Sequence, residues 1–259
     1  MEPIRLMPFA KLSGGAQMAA DEALLTTAAD AGIASLRFYT WAEPTLSLGY
    51  FQPAGVRDAL PPLPWVRRAT GGAALVHDRE LTYAVALPAG RGWQPAGESW
   101  LCRVHHWVQE ALGDLGAAAE PVVCGRERKL GDVLCFEHQT AGDLVSGGAK
   151  VVGSAQRKLR GALLQHGGVL LRRSAFAPSL PGLFELTGRD ISPLSVAHQR
   201  ALPEPGLLCS WHGIATGGSG FCAATLMASF TSARGRLLGN FELNFALGCR
   251  VFSQTTSNI

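Results

Sequence analysis

Little in this sequence supports a membrane, a metal or a nucleic acid. No apolar run approaches the roughly 20 residues that a membrane-crossing helix requires. The opening MEPIRLMPFAKLSGG lacks the apolar core, about 7–15 residues long, of a secretory leader. Charge is scarce: Asp, Glu, Lys and Arg make up 17% of the 259 residues, and 23 basic against 20 acidic side chains leave a net +3. That excess is too small to argue for nucleic acid, though it suits an acidic protein partner. None of the six cysteines (102, 124, 135, 209, 222 and 249) forms a CxxC pair, and none belongs to a Cys-His cluster with zinc-finger spacing. They are expected to be reduced thiols of a cytoplasmic protein, available as nucleophiles. Two nucleotide signatures are also missing, because no GK[ST] follows a glycine-rich loop and no GxGxxG opens a helix.

What is present is a globular chain, 47% apolar, with no internal repeat and no low-complexity linker. Residues 16–31 (AQMAADEALLTTAADA) and 98–115 place apolar side chains at helical intervals. Asp21 and Glu22 need no more than a helix-dipole reading. Strand-like runs occupy 35–52 (with a turn at Glu43-Pro44), 65–68, 81–87 and 117–123, and 126–129 reads as a solvated basic turn. Residues 143–146 and 150–154 flank Gly147-Gly148 as a hairpin. Another strand over 163–171 is interrupted at Gly167-Gly168, and 221–233 reads as a closing helix. Short strands without a βαβ rhythm indicate an α+β protein with mixed, mostly antiparallel sheets and flanking helices.

Three places carry chemistry. Arg67-Arg68-Ala69-Thr70-Gly71-Gly72 runs a basic strand end into a Gly-Gly turn. Such a turn lets backbone N–H groups approach a ligand, with arginine beside it for an anionic oxygen. An ordinary turn with a solvated arginine pair fits the spacing equally well. His77-Asp78, five residues on, is read first as a loop brace, since no nucleophile lies near it in sequence. Cys135 is either a buried small hydrophobe or a nucleophile. For the second role it needs a cation, and Lys150, fifteen residues later across a hairpin, is the candidate, with His138 as the rival.

RRATGGAALVHDRELTY and KVVGSAQRKLRGALLQHG together resemble the paired signatures of the lipoate–protein ligase A and octanoyltransferase superfamily, with its biotin/lipoate ligase type of catalytic domain. AADEALL is similar to that family's opening helix, and LRFYTWAEPTLSLGYFQ to its first hairpin. Leu134-Cys135-Phe136, with a lysine fifteen residues on, resembles the LipM-type octanoyltransferases rather than the ligases. The resemblance implies a catalytic domain over residues 1–235 and an atypical tail over 236–259. It implies transfer of an octanoyl group from acyl carrier protein to a lysine of a lipoyl-carrier domain, such as glycine cleavage H protein or a 2-oxoacid dehydrogenase E2. Cys135 would hold the acyl group as a thioester, and Lys150 would lower the thiol's pKa. Arg68, Thr70, Gly71, Gly72, His77, Gly153, Ser154, Ala155 and His166 would form the acyl site. Neither ATP nor metal is needed for thioester exchange, so no cofactor is expected, and the protein is expected to act as a monomer without nucleic acid or membrane. Two other readings are an ATP-dependent lipoate ligase, active without Cys135, and a non-catalytic binder of acylated carrier domains.

Overall fold

Glycine and β-branched residues partition this chain into short strands around one long helix. The computed structural model describes residues 4–90 and 99–199, and the backbone of 209–212, 225–231 and 237–244. Two units are separated at Arg200/Ala201.

In the first unit, strands β1 (Arg5–Leu6) and β2 (Ala10–Leu12) lead into helix α1 (Gly14–Ala31), which ends at Gly32 in the left-handed region, φ 67°. Strands β3 (Ser35–Trp41), β4 (Thr45–Leu48), β5 (Trp65–Arg67), β6 (Leu75–His77) and β7 (Glu80–Leu87) precede helix α2 (Trp100–Asp114). After it come β8 (Glu120–Pro121), β9 (Arg128–Lys129), a 3₁₀ turn at Cys135–Glu137, β10 (His138–Gln139), β11 (Leu144–Ser146), β12 (Ala149–Leu159) and β13 (Ala162–Leu170). Short helices α3 (Leu183–Thr187) and α4 (Pro193–Gln199) close the unit.

The main sheet runs β1-β3-β7-β13-β12-β11-β8, with β2 also on β3. Its three central pairings, β3–β7, β7–β13 and β13–β12, are antiparallel. Helix α1 lies on this sheet through Leu24, Leu25 and Ala28, against Tyr39, Trp41, Ala84, Ala86, Ala162 and Leu164. Burying one such Leu stabilises the fold by about 1.5–3 kcal/mol. A second small sheet, β5-β4-β6, packs Leu46, Leu48 and Val76 with Ala74, Leu134 and Ala177. The architecture is α+β, as the strand pattern indicated.

Three expectations are corrected. The strands over 35–52 form no hairpin: β3 joins the main sheet, whereas β4 leaves after Pro44 to pair with β5 in parallel and β6 in antiparallel. Strand β13 continues without a break through Gly167-Gly168. These glycines serve close packing, because a Cβ on Gly167 would lie 2.5 Å from the Tyr83 hydroxyl and one on Gly168 would lie 3.3 Å from the Glu80 carboxylate. In the second unit, Thr225–Thr231 is a strand, paired on both sides with Cys209–His212 and Leu237–Asn244, so the helix expected over 221–233 is absent there. Pairing with distant partners decides that segment, which propensity alone left ambiguous. The rest of that expected helix and most of the tail over 236–259 lie outside the described residues. The Gly147-Gly148 hairpin is as expected, with φ of 53° and 79°.

Candidate active site

Two loops meet at the edge of β6. The Gly71–Ala74 segment follows β5, and the chain leading to Cys135 runs beside it. Ala74 and Leu134 form a parallel bridge, with the Ala74 N–H donating to Val133 O at 3.1 Å and the Cys135 N–H to Ala74 O at 2.8 Å. The first sequence block thus holds the backbone of the Leu134-Cys135 segment. A Cβ on Gly49 would lie 1.9 Å from Gly72 O, so only glycine lets β4 approach this turn. The turn itself has Gly72 at φ 95°.

Beneath the turn lies a cavity of about 60 Å³. Met18, Tyr39, Trp41 and Leu75 give it an apolar wall, and Gly153, Ser154, Ala155 and Gly167-Gly168 give it a wall of small residues. Cys135, Arg68, Gly72, His77 and His166 also face it. Cys135 is a free, half-buried thiol. Nine of the eleven residues expected at the site therefore line one cavity or form its turn through Gly71, whose carbonyl Arg68 holds at 3.1 Å. The remaining two support it from behind, Thr70 through His166 and Lys150 through Gly153.

Lys150 is buried and projects from β12 beneath Gly153, where an added Cβ would lie 2.4 Å from its Cε. Its ammonium forms an ion pair with Asp143 at 2.8 Å. It also donates to His138 O at 3.0 Å and reaches Cys135 O at 3.5 Å. The hairpin thus folds the lysine back onto the cysteine turn, through main-chain carbonyls. His138, the rival partner, instead bonds Gly131 O through Nε2 at 2.8 Å.

The two histidines facing the cavity are each held between a carboxylate and a hydroxyl. His166 Nδ1 meets Asp21 Oδ2 at 2.9 Å, and its Nε2 meets Thr70 Oγ1 at 2.6 Å. His77 Nδ1 meets Glu80 Oε1 at 2.6 Å, and its Nε2 meets Ser47 Oγ at 2.7 Å. Ser47 has one proton, and its oxygen already accepts from Arg68 Nη1 at 2.6 Å. Glu80, as a carboxylate, only accepts, so Nδ1–H donates to it, and the Nε2 lone pair of the neutral ring takes the Ser47 hydroxyl proton. This neutral tautomer agrees with burial, which lowers the pKa of His77 below its ordinary value against the opposing pull of Glu80. Trp41 stacks on the ring with centroids 3.8 Å apart. The carboxylate that holds His77 is Glu80, not the adjacent Asp78. Asp78 instead accepts from Ser174 at 2.8 Å.

Arg68 is buried, not solvated as the ordinary-turn reading had it, while Arg67 bonds the carbonyls of Gly49, Tyr50 and Gln52. Asp21 is the clearest omission of the sequence reading. It is buried and accepts from Arg37 at 2.9 Å, Tyr39 at 2.8 Å and His166. Its carboxylate, after burial, holds the Tyr39 hydroxyl well above its usual pKa. A charge on the Leu24/Leu25/Ala28 side of α1 was the available signal, since a helix-dipole role needs no burial. Ser47, Glu80 and Asp143 gave no comparable signal. Among the described residues, no group of three or more His, Cys, Asp and Glu is placed to hold a metal ion, and no helix is long and apolar enough to cross a membrane.

A family model described as the lipoyl protein ligase A/B catalytic domain matches residues 13–177, which contain every residue of this site. Similar curated proteins include Octanoyltransferase LipM of Brevibacillus brevis, 36% identical over 184 residues, or 66% of this chain and 67% of that protein. Octanoyltransferase LipM of Carboxydothermus hydrogenoformans is 37% identical over 180 residues, 66% of each chain. The chain thus spans about two thirds of the length of these relatives. Among solved structures, the bi-partite lipoate protein ligase of Thermoplasma acidophilum matches 77% of this chain and 80% of its own with TM-score 0.56 at 20% identity. Lipoate-protein ligase A bound with ATP matches 76% and 82% with TM-score 0.56 at 24% identity. At such identities the likeness is one of fold.

Proposed function

The chain belongs to the lipoyl protein ligase A/B catalytic domain family, and we infer that its cavity is the acyl site of an octanoyltransferase of protein lipoylation. The acceptor is a lipoyl-carrier domain, and the donor is octanoyl-acyl carrier protein. Cys135 is the nucleophile. Its sulfur attacks the donor thioester carbonyl, the carbon–sulfur bond to the carrier breaks, and the carrier leaves with its thiol. The acceptor lysine, as a free amine, then attacks the Cys135 thioester. An amide C–N bond forms, the C–S bond breaks, and the amine proton ends on the Cys135 sulfur.

Thioester exchange is near thermoneutral and aminolysis runs downhill, so the sequence of steps consumes no nucleotide. The apolar wall of Met18, Trp41 and Leu75 takes the acyl chain, and the Gly71-Gly72 turn lies beside the carbonyl. Lys150 anchors the cysteine turn and places positive charge behind the thiol. His166 and His77 keep the cavity wall in shape through their carboxylate partners. Glycine cleavage H protein and 2-oxoacid dehydrogenase E2 domains are the acceptors that fit this reading.

The observation that carries it is a free, half-buried thiol at the wall of a largely apolar cavity built from both sequence blocks. Intact mass spectrometry after incubation with octanoyl-acyl carrier protein alone tests it. One octanoyl adduct is expected, mapped to Cys135 and lost in Cys135→Ser. Octanoyl transfer that persists in Cys135→Ala, or that requires ATP and free acid, overturns it in favour of a ligase.

A further inference from the structure

The described residues contain three buried cations, and two of them have carboxylate partners. Arg37 pairs with Asp21 at 2.9 Å and Lys150 with Asp143 at 2.8 Å. Arg68, 4% exposed, has none. Its guanidinium donates only to neutral oxygens: Ser47 O at 2.9 Å, Ser47 Oγ at 2.6 Å, Gly71 O at 3.1 Å and Ala73 O at 2.9 Å. Glu80 reaches it only through His77 and the Ser47 hydroxyl. That relay fixes the orientation of Arg68 without giving it a direct ion pair. A buried cation in this condition is costly, and an anion beside it recovers much of the cost.

The cavity supplies one candidate. Arg68 and Cys135 face the same space, and both are tied to the segment that follows Gly72, Arg68 through Ala73 O and Cys135 through Ala74 O. Burial lowers the pKa of Arg68, as expected of a cation with no direct ion-pair partner. We propose that Arg68 is the counter-cation of the Cys135 thiolate, a role that Lys150, already paired with Asp143, only supplements. The proposal rests on the reading of Cys135 as nucleophile. It makes Arg68 a positioning and charge-stabilising residue for the thiol in the resting enzyme, before any substrate enters.

The test uses the full chain and no acyl substrate, so it is independent of octanoyl transfer. Alkylation of Cys135 by iodoacetamide at pH 7 is followed by peptide mass spectrometry, with the exposed Cys102 and Cys124 as internal standards. Arg68→Gln is expected to slow Cys135 about tenfold relative to the standards, the loss of thiolate that follows removal of one close opposite charge. Arg68→Lys is expected to restore most of the rate, which a purely structural role would not do, and Lys150→Met to slow it less than Arg68→Gln. A Cys135 rate in Arg68→Gln within twofold of native overturns the proposal. Should Arg68→Gln not fold, Cys135→Asp is compared with Cys135→Ser with Arg68 intact. A higher melting temperature for the Asp variant supports the pairing, and an equal or lower one overturns it.

Discussion

Replacing Asp21 by Asn removes one charge and almost no volume, from a position where three donors converge. Oδ1 takes Arg37, and Oδ2 takes both Tyr39 and His166. An amide offers one oxygen and one NH2. If the oxygen faces Tyr39 and His166, the NH2 faces a buried guanidinium, and if it faces Arg37, two other donors are left opposed. Arg37 would keep Gln17 O at 3.1 Å, the Gln17 side chain and the face of Tyr39, 4.0 Å away, but no counter-charge. Breaking one side of a buried pair costs about 3–5 kcal/mol. In a chain of this size that corresponds to a melting temperature lower by roughly 6–20 °C. Thermal unfolding followed by circular dichroism measures it, with Glu22→Gln as the control, because Glu22 is exposed on the same helix and should change stability by no more than about 0.5 kcal/mol. A loss of less than about 2 °C in Asp21→Asn, or equal losses in the two variants, would refute the reasoning from buried charge.

Other outcomes follow from the same geometry. Gly153→Ala places a methyl 2.4 Å from Lys150 Cε. Displacing that side chain should cost about 1–3 kcal/mol in a urea titration and reduce octanoyl transfer far more than stability. Gly167→Ala, whose Cβ would lie 2.5 Å from the Tyr83 hydroxyl and 2.7 Å from Gly153 O, should destabilise by a similar amount and narrow the cavity. Burial lowers the pKa of both His77 and His105. The unfolded chain therefore binds more protons below about pH 6.5, and stability should fall as pH drops from about 7 to 5.5. A urea midpoint that stays constant over that range would contradict the neutral, buried assignment.

Local pattern and spacing by themselves determined the long helix α1, most strands of the main sheet, the Gly147-Gly148 hairpin and the two blocks that build the site. Each depends on residues close together in the chain, where periodicity or glycine chemistry acts directly. The sequence also brought Cys135, Lys150 and the Gly71-Gly72 turn forward as candidates. Only the tertiary structure decided how they are wired. Lys150 meets main-chain carbonyls and Asp143, His77 passes over its neighbour Asp78 for Glu80, and Asp21 reaches His166 across 145 positions. Strand β13 runs straight through a glycine pair that reads as a break, because Tyr83 and Glu80 on the adjacent strand need the space. The absence of a carboxylate around Arg68 is likewise invisible in a string of residues. A counter-charge is a property of the three-dimensional neighbourhood, set by strand register and by loops that are distant in the chain and meet in space.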